Sequence, residues 1–227
     1  MFFNFIQILV FINLFNTYFI KRYVISKAQY FMLHFFFNMW ICYVTYQEAL
    51  YCFFNPMNAF EIAYSSSGIL TTTGIASFHF HHIIDSYKTL KREDWVHHLG
   101  SSIVVPMIGL TNPFGKVISL SNFVMCGLPG GIDYLLLSLV KYCYIDKITE
   151  KRINRWLNLL LRMPGQMLSY YILIINYYHG MVEWYSLMFL AMFLHTLNSI
   201  YYCNKVVGNY HVCEYEIKKN ISKNKQN

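Results

Sequence analysis

The sequence contains few charged residues, and this shortage excludes the commonest classes of protein. Only 13% of the 227 residues are Asp, Glu, Lys or Arg, whereas 56% are hydrophobic and 19% are aromatic. A soluble domain carries about a quarter of its residues as charges. Too few polar side chains remain to cover a soluble globule, and the same figures exclude a disordered chain, collagen and a nucleic-acid-binding protein. We therefore expect one domain that lies in a membrane.

Cysteine motifs and a signal-peptide pattern are also missing. The six cysteines are scattered, mostly within apolar stretches, and no two form a C-x-x-C pair. This is typical of small buried apolar residues and excludes a disulfide framework or a cysteine-based zinc site. No basic region precedes the first apolar stretch, whereas Lys21 and Arg22 follow it. That stretch is therefore expected to be an uncleaved membrane span.

Seven apolar stretches approach the length needed to cross about 30 Å of hydrocarbon. They predict an all-α polytopic membrane protein with about seven transmembrane helices in one bundle that occupies residues 1–207. A polar, Lys-rich tail over 208–227 is expected to be cytosolic, with 213–227 as a disordered extension. The seven stretches are 2–20, 30–53, 64–86, 95–110, 117–140, 156–178 and 184–204.

The basic residues predict the orientation of such a bundle. If seven spans alternate, 16 of the 18 Lys and Arg residues fall on one side of the membrane. Because the cytosolic side carries this excess, we expect a lumenal or outside N-terminus and a cytosolic C-terminus. The last residues, 223–227, resemble a dibasic retrieval signal, which indicates the endoplasmic reticulum. The sequon at Asn220 is then expected to stay unmodified.

Titratable side chains gather near the cytosolic ends of the predicted spans. Such groups are costly inside a bilayer, so each needs a partner, a cavity or a function. The spacing of Asp94 from His97 and His98 places all three on one helix face, as does the spacing of His81 from Asp85. We expect a polar, cytosol-facing pocket built from His81, His82, Asp85, Asp94, His97, His98, Asp133 and Arg162.

A proline and three glycines precede Asp133 in the fifth stretch. Proline removes a helix hydrogen bond and glycine has low helix propensity, so residues 127–131 predict a break in the helix. A break inside a membrane is tolerated where protein or a wet cavity satisfies the freed backbone groups. The half-helix after Gly131 would then direct its N–H groups into the polar pocket.

Several of these stretches resemble the TLC domain family, which includes ceramide synthases, translocon-associated membrane proteins and other lipid-handling proteins. The resemblance covers about 39–207 and is carried by residues 90–98, an Asp-bearing helix that ends in Lys141, and residues 158–171 and 194–207. His97 and His98 match the paired histidines that ceramide synthases need for acyl transfer. Asp133 matches the second aspartate of their His-Asp-x-x-Asp stretch, although Pro129 and Gly130 replace its first two residues.

The resemblance implies a divergent TLC-like protein with a lipid-related role, which binds or modifies a membrane lipid. His97, His98 and Asp133 are the predicted catalytic residues, and the predicted substrate-binding residues are Asp94, Arg162, His81, His82 and Asp85. The alternatives are an acyltransferase of ceramide-synthase type, which would take acyl-CoA as a second partner, and a non-catalytic lipid sensor or scaffold. Homo-oligomerisation stays open.

Two other classes receive less support from the sequence. Di-iron hydroxylases and desaturases repeat H-x-x-H-H boxes three times, whereas this chain contains one H-x-H-H and one H-H. We therefore predict no metal and no other cofactor. A transporter would be favoured by an internal repeat, and none is found in the sequence.

Overall fold

A computed structural model of the chain describes residues 2–59, 63–180 and 185–224, and these residues confirm the all-α class. Within those ranges, eight α-helices contain eight residues or more: Phe2–Phe15, Gln29–Phe54, Ser66–Ser86, Arg92–Leu99, Leu128–Lys141, Lys147–Leu157, Met163–Tyr178 and Tyr185–Asn224. Four π-helical turns, Asn16–Ile20, Gly100–Val104, Phe123–Gly127 and Asn158–Arg162, join neighbouring segments into longer rods.

These rods are labelled in chain order for the description that follows. They are α1 (2–23), α2 (Gln29–Phe54), α3 (Ser66–Ser86), α4 (92–111), α5 (Val117–Lys141), α6 (147–178) and α7 (Tyr185–Asn224).

Three rods of the described chain, and not seven, are long and apolar enough to cross a membrane. They are α1, α5 and α7, with candidate spans Phe3–Tyr23, Val117–Lys141 and Ser186–Lys223. The prediction of seven spans is therefore wrong by length and composition, although each predicted stretch coincides with one rod. The other rods carry polar side chains within their apolar sequence, such as Asn38 in α2, Thr71 in α3 and Asn158 in α6. These side chains are buried inside the protein.

Large apolar side chains cover much of the outer surface. Phe11, Tyr43, Phe53, Leu160 and Phe193 are all exposed, and they come from four different rods. A soluble protein rarely exposes apolar residues on this scale, whereas a lipid-facing surface requires them. Together with the three candidate spans, this surface indicates an integral membrane protein.

The second rod, α2, packs against both α3 and α5. The rings of Phe37 and Phe78 stack at 4.0 Å between α2 and α3. On the other side, a Cβ atom at Gly130 would lie 2.6 Å from the Asn38 amide nitrogen. Glycine at this position therefore permits the close approach of α2 and α5.

The helix break predicted at 127–131 is wrong. The α-helix Leu128–Lys141 begins immediately after the π-helical turn Phe123–Gly127, and the Leu128 N–H donates to the Phe123 carbonyl. Pro129 lies in the first turn of this helix, where its missing N–H costs little. The wider π turn accommodates the remaining change in backbone hydrogen bonding. No half-helix points into a pocket here, because Gly130 and Gly131 instead pack against α2.

The last rod continues through the predicted tail as far as Asn224. Residues 208–224 are therefore helical, and the expectation of a disordered extension is wrong for 213–224. Side-chain pairs one turn apart support this polar helix. Glu214 accepts a hydrogen bond from Tyr210 at 3.3 Å and pairs with Lys218 at 3.3 Å. The resemblance to a retrieval signal falls largely on residues 225–227, which lie outside the described residues.

Candidate functional site

Five imidazoles from three helices meet inside the bundle and form a histidine cluster: His34 of α2, His79 and His82 of α3, and His97 and His98 of α4. The three-residue spacing of His79 and His82 places both on one face of α3. His79 Nδ1 lies 2.9 Å from His98 Nδ1, and His82 Nε2 lies 3.0 Å from His34 Nε2. The rings of His82 and His98, 5.7 Å apart, join the two pairs.

Three members of this cluster have the geometry of metal ligands. One nitrogen atom from each of His79, His97 and His98 lies within 4.8 Å of the other two. The ring centroids are 5.2 Å, 5.2 Å and 5.4 Å apart, so the imidazoles form a nearly equilateral triangle. Two of these residues, His97 and His98, were predicted to be functional from the sequence, but no metal was predicted. The closely spaced histidines of H-x-H-H and H-H were the feature of the sequence that could have indicated this triangle.

Two predicted substrate-binding residues of α3, His81 and Asp85, contact α1. The ring of His81 bonds to the side chains of Asn13 at 3.1 Å and Asn16 at 3.4 Å. Asp85 pairs with Lys21 at 3.3 Å, near the surface. Both residues therefore link α3 to α1. The third predicted residue of α3, His82, belongs to the histidine cluster.

Acidic residues at the beginning of α4 fix that helix in place. Asp94 accepts a hydrogen bond from the Lys91 backbone N–H at 3.0 Å and so closes the first turn of the helix. Glu93 accepts hydrogen bonds from Tyr201 at 2.7 Å and Lys205 at 3.2 Å, both on α7. These bonds, Tyr201 first, hold the pKa of Glu93 below its ordinary value. The helix that carries His97 and His98 is thus attached to α7.

Asp133 and Arg162 belong to a second group of side chains, the polar network. Asn154 donates to Asp133 at 2.7 Å and to the fully buried Glu150 at 3.4 Å. Asn158 donates to the Asn154 side-chain oxygen at 2.8 Å, and Arg162 donates to the Asn158 oxygen at 2.7 Å. The network is thus a continuous chain of hydrogen bonds from α5 along α6.

Most of this network was not predicted from the sequence, because Glu150 and Asn154 fall in the loop between the predicted stretches 117–140 and 156–178. The signal was a four-residue spacing along α6, which runs through Glu150, Asn154, Asn158, Arg162 and Gln166. Residues four apart lie on nearly the same helix face, with a drift that accumulates at 3.6 residues per turn. The wider π-helical turn Asn158–Arg162 offsets part of this drift. All five polar side chains therefore follow one side of α6.

The single pocket predicted from the sequence therefore divides into two groups. His97 and His98 lie in the histidine cluster between α2, α3 and α4, whereas Asp133 and Arg162 lie in the polar network of α5 and α6. Tyr134, the residue after Asp133, connects the two groups, since its ring stacks on His34 at 4.1 Å.

An open cleft of about 550 Å³ lies between α3, α4, α5, α6 and α7. Its wall is mainly apolar, with Ile118, Leu173, Met188 and Met192 among the lining residues. Three polar lining side chains bond to one another. Ser121 donates to the Gln166 oxygen at 3.2 Å, and the Gln166 amide nitrogen lies 3.2 Å from His195 Nδ1. Gln166 is also the last residue of the polar side of α6.

The fold and these sites define an all-helical integral membrane protein with a buried histidine cluster, a buried polar network and an apolar cleft. No protein-family model matches this chain, and no curated protein or solved structure matches it. Membership of the TLC family therefore stays a prediction that depends on the short motifs around His97 and Asp133.

Proposed function

We propose that this membrane protein binds a lipid, with the acyl chain in the cleft between α3 and α7. The observation that carries the proposal is the cleft itself, which combines an apolar wall with a small polar group. Small-molecule sites are typically apolar with a few placed polar groups, and this cleft has the same kind of lining. A lipid chain suits the wall, and a hydroxyl, amide or ester group suits Ser121, Gln166 and His195.

The cleft and the histidine cluster occupy different heights on the bundle. Thr72 lines the cleft and His79 belongs to the cluster, and both lie on α3. Seven residues of helix separate them, which corresponds to about 10 Å along the axis. A bound amphiphile could therefore extend from the cleft toward the cluster.

A bulky residue in the cleft tests this proposal. Replacing Ala191 with phenylalanine is expected to weaken the binding of a fluorescent fatty acid by about tenfold, since the ring would occupy the space of the chain. Leu190→Phe is the matched control, because Leu190 is the neighbouring residue on α7 but is exposed and does not line the cleft. Fluorescence titration of the purified protein in detergent measures both. Equal affinities for the two variants would contradict the proposal.

We also propose that the N-terminus lies on the lumenal side of the endoplasmic reticulum and the C-terminus in the cytosol. All three candidate spans carry basic residues at their C-terminal ends, namely Lys21 and Arg22 in α1, Lys141 in α5 and Lys218, Lys219 and Lys223 in α7. The excess of basic residues on cytosolic flanks gives the three spans one common direction. The chain then has to cross back between consecutive spans, so this orientation requires α6 and one of the rods α2 to α4 to cross the membrane as well, with their buried polar side chains facing the bundle.

Glycosylation mapping tests this orientation. We expect an acceptor site on a polar N-terminal extension to be glycosylated in microsomes, since that end would face the lumen. The natural sequon at Asn220 is expected to remain unmodified, and an identical acceptor fused after Asn227 is the matched control. Modification of the C-terminal acceptor, with an unmodified N-terminal one, would reverse the topology.

The acyltransferase of ceramide-synthase type is the second candidate, favoured by the adjacent imidazoles of His97 and His98, of which His98 is buried and His97 is half-buried. One histidine would accept the proton of an amine or hydroxyl that attacks the thioester of an acyl-CoA, and the CoA thiolate would leave. Purified protein incubated with labelled acyl-CoA and a panel of lipid acceptors tests this. Lipid binding without any transfer would favour the sensor or scaffold.

A further inference from the structure

The histidine cluster lies outside the cleft that is proposed to hold the acyl chain, and its geometry supports a function of its own. We propose that His79, His97 and His98 bind one divalent transition-metal ion of the first row. Imidazole nitrogen is a common ligand of Zn²⁺, Cu²⁺, Ni²⁺ and Fe²⁺. The proposal concerns a different site from the cleft and does not depend on the lipid.

The distances between the ring nitrogens suit a common ion. Zinc binds histidine nitrogen at 2.0–2.1 Å, and two such ligands of a tetrahedral ion lie about 3.3 Å apart. His79 Nδ1 and His98 Nδ1 are 2.9 Å apart, so shifts of a few tenths of an ångström would admit the ion. A nitrogen of His97 lies within 4.8 Å of both, and rotation of this ring about its side-chain bonds would complete a three-histidine face.

Side chains of α7 contact the ring of His97. The ring of His97 bonds to the Asn198 side chain of α7 and packs edge-on against Tyr202 at 5.3 Å. Hydrogen bonds of this kind orient the metal-binding histidines of known sites. The three proposed ligands thus come from α3 and α4, and α7 covers one of them.

The remaining two histidines support the site from the side of α2. His34 Nδ1 lies 2.8 Å from the Tyr30 backbone oxygen, which can only accept, so Nδ1 carries the proton. The Nε2 atom of His34 is then the acceptor, and His82 Nε2 donates to it at 3.0 Å. This fixes the tautomer of His82, whose ring packs 5.7 Å from that of His98.

The charge of the site indicates an open coordination position. Three neutral imidazoles leave a divalent ion with its full positive charge in a mainly apolar bundle. A hydroxide, a substrate anion or a carboxylate is needed to balance it, and Asp94 lies on the same helix about one turn before His97 and His98. Three protein ligands with one open position are the arrangement of catalytic zinc sites.

Metal loading of the full-length protein tests the proposal. The protein is purified in detergent, stripped with a chelator and reloaded with Zn²⁺ or Co²⁺. We expect about one ion per chain by elemental analysis, and a visible absorption spectrum of tetrahedral Co²⁺. Absence of both signals from the wild-type protein would overturn the proposal, whatever the variants do.

Variants then assign the ligands. His97→Ala and His98→Ala are each expected to reduce bound Co²⁺ at least tenfold, whereas His211→Ala, on the exposed part of α7, is expected to retain it. His98→Cys distinguishes a lost ligand from a lost fold, since a thiolate should restore Co²⁺ binding and add a sulfur charge-transfer band. Undiminished binding in both alanine variants would refute the assignment. Ala191→Phe should bind Co²⁺ normally, so failure of the lipid proposal is measured separately.

Discussion

Asn154→Leu is expected to lower the free energy of unfolding by about 3 kcal/mol, because it removes the central member of the polar network. Asn154 is buried and donates to two carboxylates, those of Asp133 and Glu150, while its oxygen accepts from Asn158. Leucine has a similar size but offers none of these bonds. Two acidic groups and one amide would lose a partner where water has little access, and this loss is more costly than that of an exposed pair.

Asn176→Leu provides the matched control for this prediction. Asn176 is also buried and lies on the same rod, α6, but among the described residues its side chain donates only to the Ile172 carbonyl one turn earlier in that helix, at 2.7 Å. Its replacement should therefore cost less than about 1 kcal/mol. Thermal and denaturant unfolding in detergent, followed by tryptophan fluorescence, measure the two variants under the same conditions. Similar losses for both would show that the polar network adds no stability beyond that of a local bond.

The positions of the helices were predictable from the sequence, whereas the number of spans was not. Each apolar stretch became one rod because a run of apolar residues favours a buried or lipid-facing helix in any context. Whether such a helix faces lipid depends on its neighbours. Asn154 and Asn158 occupy a stretch that is helical and buried, yet hydropathy alone cannot distinguish a buried amide from a wet one. The break predicted at Pro129 failed for a related reason, since a π turn and close packing against Asn38 accommodate it.

The candidate site was predictable only in part. The pairing of His97 with His98 was visible as adjacent letters, and the shared face of His79 and His82 follows from helix geometry. The place of His34 in the cluster was not predictable, because nothing in the sequence states that α2 lies beside α3. The same applies to Asp133, which was expected near His97 but bonds to Asn154. Periodicity assigns a residue to a helix face, whereas tertiary packing decides what that face meets.

The carboxylate of Glu48 connects three rods near the cleft. Its Oε2 atom accepts hydrogen bonds from Ser65 at 2.5 Å and Ser119 at 2.6 Å. Ser65 is the N-cap of α3, where its oxygen also accepts from the Gly68 N–H at 2.8 Å. Hydrogen bonds to an ionised group are each stronger than neutral ones. Glu48 of α2 therefore fixes the beginning of α3 against α5.

We expect Glu48→Leu to lower the free energy of unfolding by about 3 kcal/mol, since two hydroxyl groups lose an ionised acceptor. Glu48→Gln should cost about half as much, because an amide oxygen can still accept from Ser65 and Ser119 but carries no charge. Gln47→Leu is the control, as Gln47 is the preceding residue on α2 but is exposed. The same unfolding measurements apply to all three. Equal stability of the Glu48→Leu and Gln47→Leu variants would contradict this role.

The hydrogen bonds to Glu48 also couple the stability of the fold to lipid binding in the cleft. Ser119 lies between Ile118 and Ser121, and both of these residues line the cleft. Loss of the Glu48 carboxylate should therefore loosen this part of α5 and weaken fatty-acid binding even at temperatures where the protein stays folded. Asn154→Leu acts farther along the bundle, near Asp133, and should leave that affinity nearly unchanged below its unfolding temperature. Opposite behaviour of the two variants in the fluorescence titration would mean that the lipid binds at the polar network and not in the cleft.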